Sequence, residues 1–97
     1  MSRNGEILIL GGSGQIGSEF VKRLRSKYEI SAPTHQQLDV TDLSVMEGYI
    51  KNKNPDQIVY SIGFTNIDHA PTHVNDAIDL NVLGVMNTTS IAAKEKI

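Results

Sequence analysis

Apolar residues recur along this chain in two rhythms. Ile7-Leu8-Ile9-Leu10 is an unbroken branched run between Gly5 and Gly11, the pattern of a strand covered on both faces in a parallel sheet. Gln57-Ile58-Val59-Tyr60-Ser61-Ile62 repeats that pattern. Tyr28-Glu29-Ile30-Ser31-Ala32, ended by Pro33, and Gln37-Leu38-Asp39 give shorter versions of it. Between these runs the period lengthens to that of a helix. Ile16, Phe20, Val21 and Leu24 share one face, with Glu19, Lys22, Arg23 and Arg25 off it. Leu43, Met46 and Ile50 mark a second buried face, with Tyr49 beside it; Thr41 or Asp42 caps that helix and Asn54-Pro55 stops it. A third stripe runs through Ala77, Leu80, Gly84, Thr88 and Ile91, with Val85 and Ala92 alongside. The pattern predicts strands near 6–11, 28–32, 37–39 and 57–62, and helices near 14–27, 42–53 and 75–96. Strand and helix alternate, so the fold class is α/β with a parallel sheet, in one domain over residues 1–97.

The junction of the first strand and first helix carries the candidate chemistry. Gly12, Gly14 and Gly17 spell G-x-G-x-x-G, and Gly11, Gly14 and Gly17 spell G-x-x-G-x-x-G. In a strand–turn–helix setting this spacing makes a dinucleotide cradle, where bare backbone approaches a pyrophosphate and the helix N–H groups face its charge. The bland alternative is a turn that needs positive φ and binds nothing. With four strands and three helices, the unit corresponds to half of a Rossmann-type, doubly wound parallel sheet.

Composition narrows the partners. The 97 residues carry a net charge of −2 and no cysteine, which gives no reason to expect a nucleic acid, an anionic membrane, a disulfide or a thiolate metal site. No apolar run reaches membrane-spanning length, and Met1 to Glu6 lacks the apolar core of a signal peptide, so a cytoplasmic protein is expected. From Asn54 to Ala93 there is no Lys or Arg, while Asp56, Asp68, Asp76 and Asp79 fall in that stretch. An anionic ligand must therefore be met by backbone N–H groups or by residues outside this chain.

The segment after the second strand normally selects the cofactor. An acid there holds the adenosine ribose, and a basic residue accommodates a 2′-phosphate. Ala32-Pro33-Thr34-His35-Gln36 contains neither an acid nor Lys or Arg, which argues against strict NAD preference and leaves NADP or NAD open. Tyr49 and Lys53 have the Tyr-x-x-x-Lys spacing of short-chain dehydrogenases, but on the second helix, on the adenine side; they read as an ordinary i,i+4 pair. No catalytic residue is assigned. His69 and His73 are separated by Pro71 and have no third ligand nearby, so no metal site is expected. Asn81 interrupts the apolar face of the third helix and needs a hydrogen-bond partner.

Taken together, five stretches resemble the N-terminal third of the extended short-chain dehydrogenase/reductase family, in particular its dTDP-4-dehydrorhamnose reductase branch. They are Ile7 to Gly17, Gln37 to Asp42, Asn54-Pro55-Asp56, Phe64 to Ala70 and Asp79 to Asn87, in the family's order. The resemblance implies that Gly11, Gly14, Gln15, Ile16 and Gly17 line the pyrophosphate and that Asp39 and Val40 meet the adenine, Asp39 through its exocyclic amine. Ser61, Ile62 and Gly63 would form the wall beside ribose and nicotinamide, with Thr65 toward the substrate, and Asn81 would buttress the fourth strand. Tyr60 and Ile62 depart from the family, which usually has Asn at the first position and small residues after it.

The resemblance also implies that the catalytic Ser/Thr, the Tyr-x-x-x-Lys pair and the sugar-nucleotide lobe belong beyond residue 97. A sugar nucleotide is then a partner only if that half is present. A non-catalytic nucleotide-binding or regulatory module, or a structural fragment that binds nothing, remains as an alternative. In the family's strand order of third, second, first, fourth, the strand at 57–62 would sit at an uncovered edge. That predicts a homodimer through this strand or the third helix.

Overall fold

A computed structural model provides the fold and describes residues 5–12, 14–62 and 82–97. Three parallel strands form the sheet: β1 (Glu6–Leu10), β2 (Glu29–Ser31) and β3 (Gln57–Tyr60), in the order β2-β1-β3. The helices are α1 (Gln15–Leu24), α2 (Leu43–Lys53) and α3 (Gly84–Lys94). The central place of β1 follows from its composition, since Ile7, Leu8, Ile9 and Leu10 are all buried. Leu8 aligns with Ser31 on one side and Ile58 on the other, and Leu10 with Tyr60.

Because strand side chains alternate, β1 feeds two layers. Leu8 and Leu10 enter the main core with Leu38, Val40, Met46, Ile50 and Ile91, and Tyr49, Ile58, Tyr60, Ile62 and Ile97 pack around it. This is the face that α2 and α3 cover. Ile7 and Ile9 point to the opposite face, where α1 lies.

Several side-chain bonds fix where elements begin and end. Asp42 caps α2 by accepting from the Val45 N–H at 3.2 Å. Asn54 ends α2 in the left-handed region at φ 48° and donates its N–H to the Ile50 carbonyl. Two residues on, Asp56 accepts the Glu6 N–H on its carboxylate at 2.8 Å and donates its own N–H to the Glu6 carbonyl. The start of β3 is thereby tied to the start of β1.

Tyr60 leans from β3 toward α3. Its hydroxyl occupies the space that a Cβ at residue 84 would need, so Gly84 is what lets the ring lie there. Both bulky departures, Tyr60 and Ile62, thus turn into the α2/α3 core.

The architecture corrects four details of the sequence reading. Residues 37–39 form no strand, so the sheet has three strands among the described residues. The donors that a strand would offer are spent locally: Gln37 and Leu38 both donate to the Thr34 carbonyl, and Gln37 Oε1 accepts the Thr34 N–H at 2.8 Å. Thr34-His35-Gln36-Gln37 is a reciprocal capping box that closes one turn. Second, α1 ends at Leu24, where the Lys27 and Tyr28 N–H groups converge on the Leu24 carbonyl. Third, Leu43 is exposed, because the buried stripe of α2 begins only at Met46, and Val85 is exposed beside the stripe of α3. Fourth, Ile16 and Phe20 are not covered, at 68% and 39% exposure. They lie beside β3, an edge of the sheet among the described residues. Of the third predicted helix, Gly84, Thr88 and Ile91 are buried as the stripe requires; Ala77, Leu80, Asn81 and the helix start at 75 lie outside the described residues.

Two glycines give a test of this packing. A Cβ at Gly17 would overlap the Gly11 carbonyl oxygen, while one at Gly48 would meet nothing within 4 Å. Gly17→Ala should cost at least about 2 kcal/mol in urea denaturation. Gly48→Ala, mid-helix and exposed, should instead raise stability by roughly 0.5–1 kcal/mol.

Candidate functional site

The loop from β1 to α1 sits at the sheet's switch point, with β2 reached on one side of β1 and β3 on the other. Open α/β sheets bind ligands beyond the carboxyl ends of their strands at such a point. Each glycine of the loop has a separate physical reason. Gly11 holds φ +93°, and a Cβ there would lie 2.8 Å from the Ser61 carbonyl carbon, so β1 and β3 leave the sheet pressed together. Ser61 prolongs that contact by donating its N–H to the Leu10 carbonyl at 2.8 Å. Gly12 abuts the exit of β2, where a Cβ would come 2.8 Å from the Ala32 Cβ. Gly17 lets α1 descend onto the Gly11 carbonyl.

Gly14 is different. Its φ and ψ, −78° and 174°, suit any residue, and a Cβ would approach nothing closer than the Gly11 oxygen at 3.5 Å, an ordinary contact. The protein's own packing does not demand glycine there.

The helix start beside Gly14 is electrostatically prepared for an anion. Among the described residues no side chain caps α1, and its first turn has no acidic residue. The first intrahelical bond runs from the Ser18 N–H to the Gly14 carbonyl at 2.9 Å, so the N–H groups of Gln15, Ile16 and Gly17 precede the ladder. A groove of about 680 Å³ opens there, lined by Gly14, Gln15, Ile16 and Phe20 from α1 and by Val59, Tyr60, Ser61 and Ile62 from β3 and its exit. It brings together Gly14, Gln15, Ile16, Ser61 and Ile62 of the expected cofactor residues. Gly11 and Gly17 lie directly behind it. Gly63 and Thr65 lie outside the described residues.

The other two expected residues are placed apart from this groove. Asp39 is exposed, whereas Val40 is 2% exposed and belongs to the core. Asp39 Oδ1 accepts from the Thr41 hydroxyl at 2.7 Å and from the Thr41 N–H at 3.0 Å. These bonds, the hydroxyl first, hold its carboxyl below the usual aspartate value. Asn87 was not anticipated as part of this region: its Nδ2 donates to the Val40 carbonyl at 3.0 Å from 47 residues away. The sequence signals for it are a polar residue one turn beyond Gly84 and its place at the end of the Asp79–Asn87 stretch.

Tyr49 and Lys53 do not form an acid pair. The Lys53 ammonium lies over the ring, 5.9 Å from its centroid, and burial pushes the Tyr49 hydroxyl upward, with Glu6 adding to the effect. A catalytic tyrosine needs a shift the other way. Among the described residues no three His, Asp or Glu side chains cluster to hold a metal, and no helix is long and apolar enough to cross a membrane. His69 and His73 lie outside the described residues.

Comparison with known proteins gives consistent matches. The family model described as RmlD substrate binding domain matches residues 5–97. The chain is 30% identical over 90 residues to the dTDP-4-dehydrorhamnose reductase of Aggregatibacter actinomycetemcomitans, covering 91% of this chain and 31% of that protein. It is 35% identical over 91 residues to the GDP-L-fucose synthase of Azorhizobium caulinodans, covering 86% and 29%. The crystal structure of a dTDP-4-dehydrorhamnose reductase from Clostridium acetobutylicum superimposes with a TM-score of 0.87 at 27% identity, over 93% of this chain and 32% of that one. The chain therefore spans about a third of the length of the relatives it matches.

The Asp39–Thr41 contact has a measurable signature. The Asp39 carboxyl should titrate below 3.8 by NMR, and Thr41→Val should move it back up. Since the folded-state value is depressed, the stabilisation is present above the ordinary aspartate value and is lost as pH falls through the folded one. The stability difference between wild type and Thr41→Val should thus shrink in the acid range below about pH 4.

Proposed function

We propose that this chain, which belongs to the RmlD substrate binding domain family, is the dinucleotide-binding segment of a cytoplasmic sugar-nucleotide reductase that uses NADP or NAD. The observation that carries the reading is Gly14, a glycine whose missing side chain serves no contact among the described residues and faces the open groove at the start of α1.

In this reading the pyrophosphate lies against the Gly11–Gly17 loop. The backbone N–H groups of α1's first turn supply the positive field that the chain's side chains lack in that region. Asp39 accepts from the adenine's exocyclic amine. With no acid in Ala32-Pro33-Thr34-His35-Gln36, nothing repels a 2′-phosphate, which favours NADP at least as well as NAD. Ser61 and Ile62, followed by Gly63 and Thr65, wall the ribose and nicotinamide end. When bound, the cofactor supplies a hydride for a carbonyl.

The chain's residues orient the dinucleotide and shield one side of it. None of them is assigned as the acid that protonates the reduced oxygen. The relatives named above differ in the nucleotide of their sugar, dTDP in one and GDP in the other. The shared segment thus supports the reaction class without selecting the sugar nucleotide.

Assembly follows from the open edge. Among the described residues β3 pairs only with β1. Val82, Leu83, Val85 and Met86 at and before the start of α3 are exposed. A two-fold homodimer through β3 or α3 covers apolar surface worth roughly 25 cal/mol per Å².

Two measurements test these readings. Titration calorimetry should show NADPH binding to the protein, lost in Gly14→Val, while the melting temperature stays within about 2 °C because the space is open; unchanged affinity removes the cradle assignment. Ultracentrifugation at low micromolar concentration should show a dimer, dissociated by Val59→Lys. A soluble monomer in the wild type sinks the assembly proposal.

A further inference from the structure

Asn87 is the buried amide that the dinucleotide reading does not use. It is 8% exposed on α3, and its Nδ2 reaches across to the Val40 carbonyl at 3.0 Å. One turn earlier on the same helix, Gly84 leaves room for Val40: a Cβ there would lie 3.0 Å from Val40 Cγ2. The helix therefore grips Val40 twice, by its side chain and by its backbone. Val40 is the neighbour of Asp39, and on the other side Leu38 is equally buried, with its N–H bound to the Thr34 carbonyl at 2.9 Å. Asp39 is an exposed residue strung between two immobilised ones. Its backbone carbonyl also accepts the Asp42 N–H, and its carboxylate is aimed by Thr41.

We propose that Asn87 is a positioning residue for base recognition: by holding the Val40 carbonyl it fixes where the Asp39 carboxylate stands to receive the exocyclic amine of an adenine-class base. This rests on the dinucleotide reading above. A leucine at 87 fills a similar volume, but it takes away the Val40 carbonyl's bond to the Asn87 amide, which the chain relieves by turning the Leu38–Thr41 segment. Asp39 then keeps its charge and loses its place.

The test compares the affinity of the protein for NADPH and for its hypoxanthine analogue, in which an oxygen replaces the adenine amine. Wild type should prefer the adenine form by roughly tenfold, the worth of one charge-assisted hydrogen bond. In Asn87→Leu that preference should fall to about one, while the affinity for inorganic pyrophosphate, which touches only the glycine loop, is unchanged. A purely structural Asn87 would lower the melting temperature and leave the preference intact, which overturns the proposal. Should Asn87→Leu not fold, the side-chain amide resonances of Asn87 in wild type decide: a shift on adding 2′,5′-ADP but not pyrophosphate supports the proposal, and no shift overturns it. Wild type that binds NADPH without adenine preference overturns this inference alone. Wild type that binds no NADPH overturns the dinucleotide reading with it.

Discussion

The fold turns on how closely three pieces of backbone meet at Gly11. Its carbonyl accepts the Gly14 N–H and touches Gly17, while its Cα presses on the exit of β3 at Ser61. Hydrogen bonding alone does not force such proximity; it requires the absence of side chains at Gly11 and Gly17. The start of α1 is thereby placed at the carboxyl end of β1, and the groove beside Gly14 follows from that placement. Packing at two glycines creates the vacancy at a third.

The two faces of the sheet are finished to different degrees. On one, Leu8, Leu10, Met46, Ile50 and Ile91 are sealed under α2 and α3, and the Lys94–Glu47 pair, 2.6 Å apart, joins those helices at the surface. On the other, Ile16 and Phe20 stand exposed beside the outer edge of β3. The hydrophobic effect assigns a cost to that exposure but no direction. What sets the direction is the groove between α1 and β3, where apolar walls flank the polar backbone of the glycine loop.

Much of this was legible in the sequence. Ile7–Leu10 reads as a buried parallel strand, Thr41 or Asp42 and Asn54-Pro55 bracket α2 within a residue or two, and the glycine spacing locates the loop. The error at 37–39 came from weighing Leu38 and Val40, both buried, above the Thr34-x-x-Gln37 capping box that consumes the local donors. The exposure of Ile16 and Phe20 was illegible for another reason: an apolar helical stripe declares that a face wants cover and is silent on what supplies it. Asn87 was missed because a bond to a carbonyl 47 residues away leaves no periodicity. Val40, expected at the ligand, proves to face inward, leaving Asp39 as the one exposed member of that pair.

The seating of Tyr60 against Gly84 carries a consequence for substitution. The two residues divide a single volume between β3 and α3: what one position gains in atoms the other must give up. A side chain added at the second position while tyrosine holds the first would part the sheet from its helix, whereas a smaller residue at the first would leave a void between them. Val40 Cγ2, 3.0 Å from the same point, is a second limit on position 84, so shortening Tyr60 does not by itself make room there.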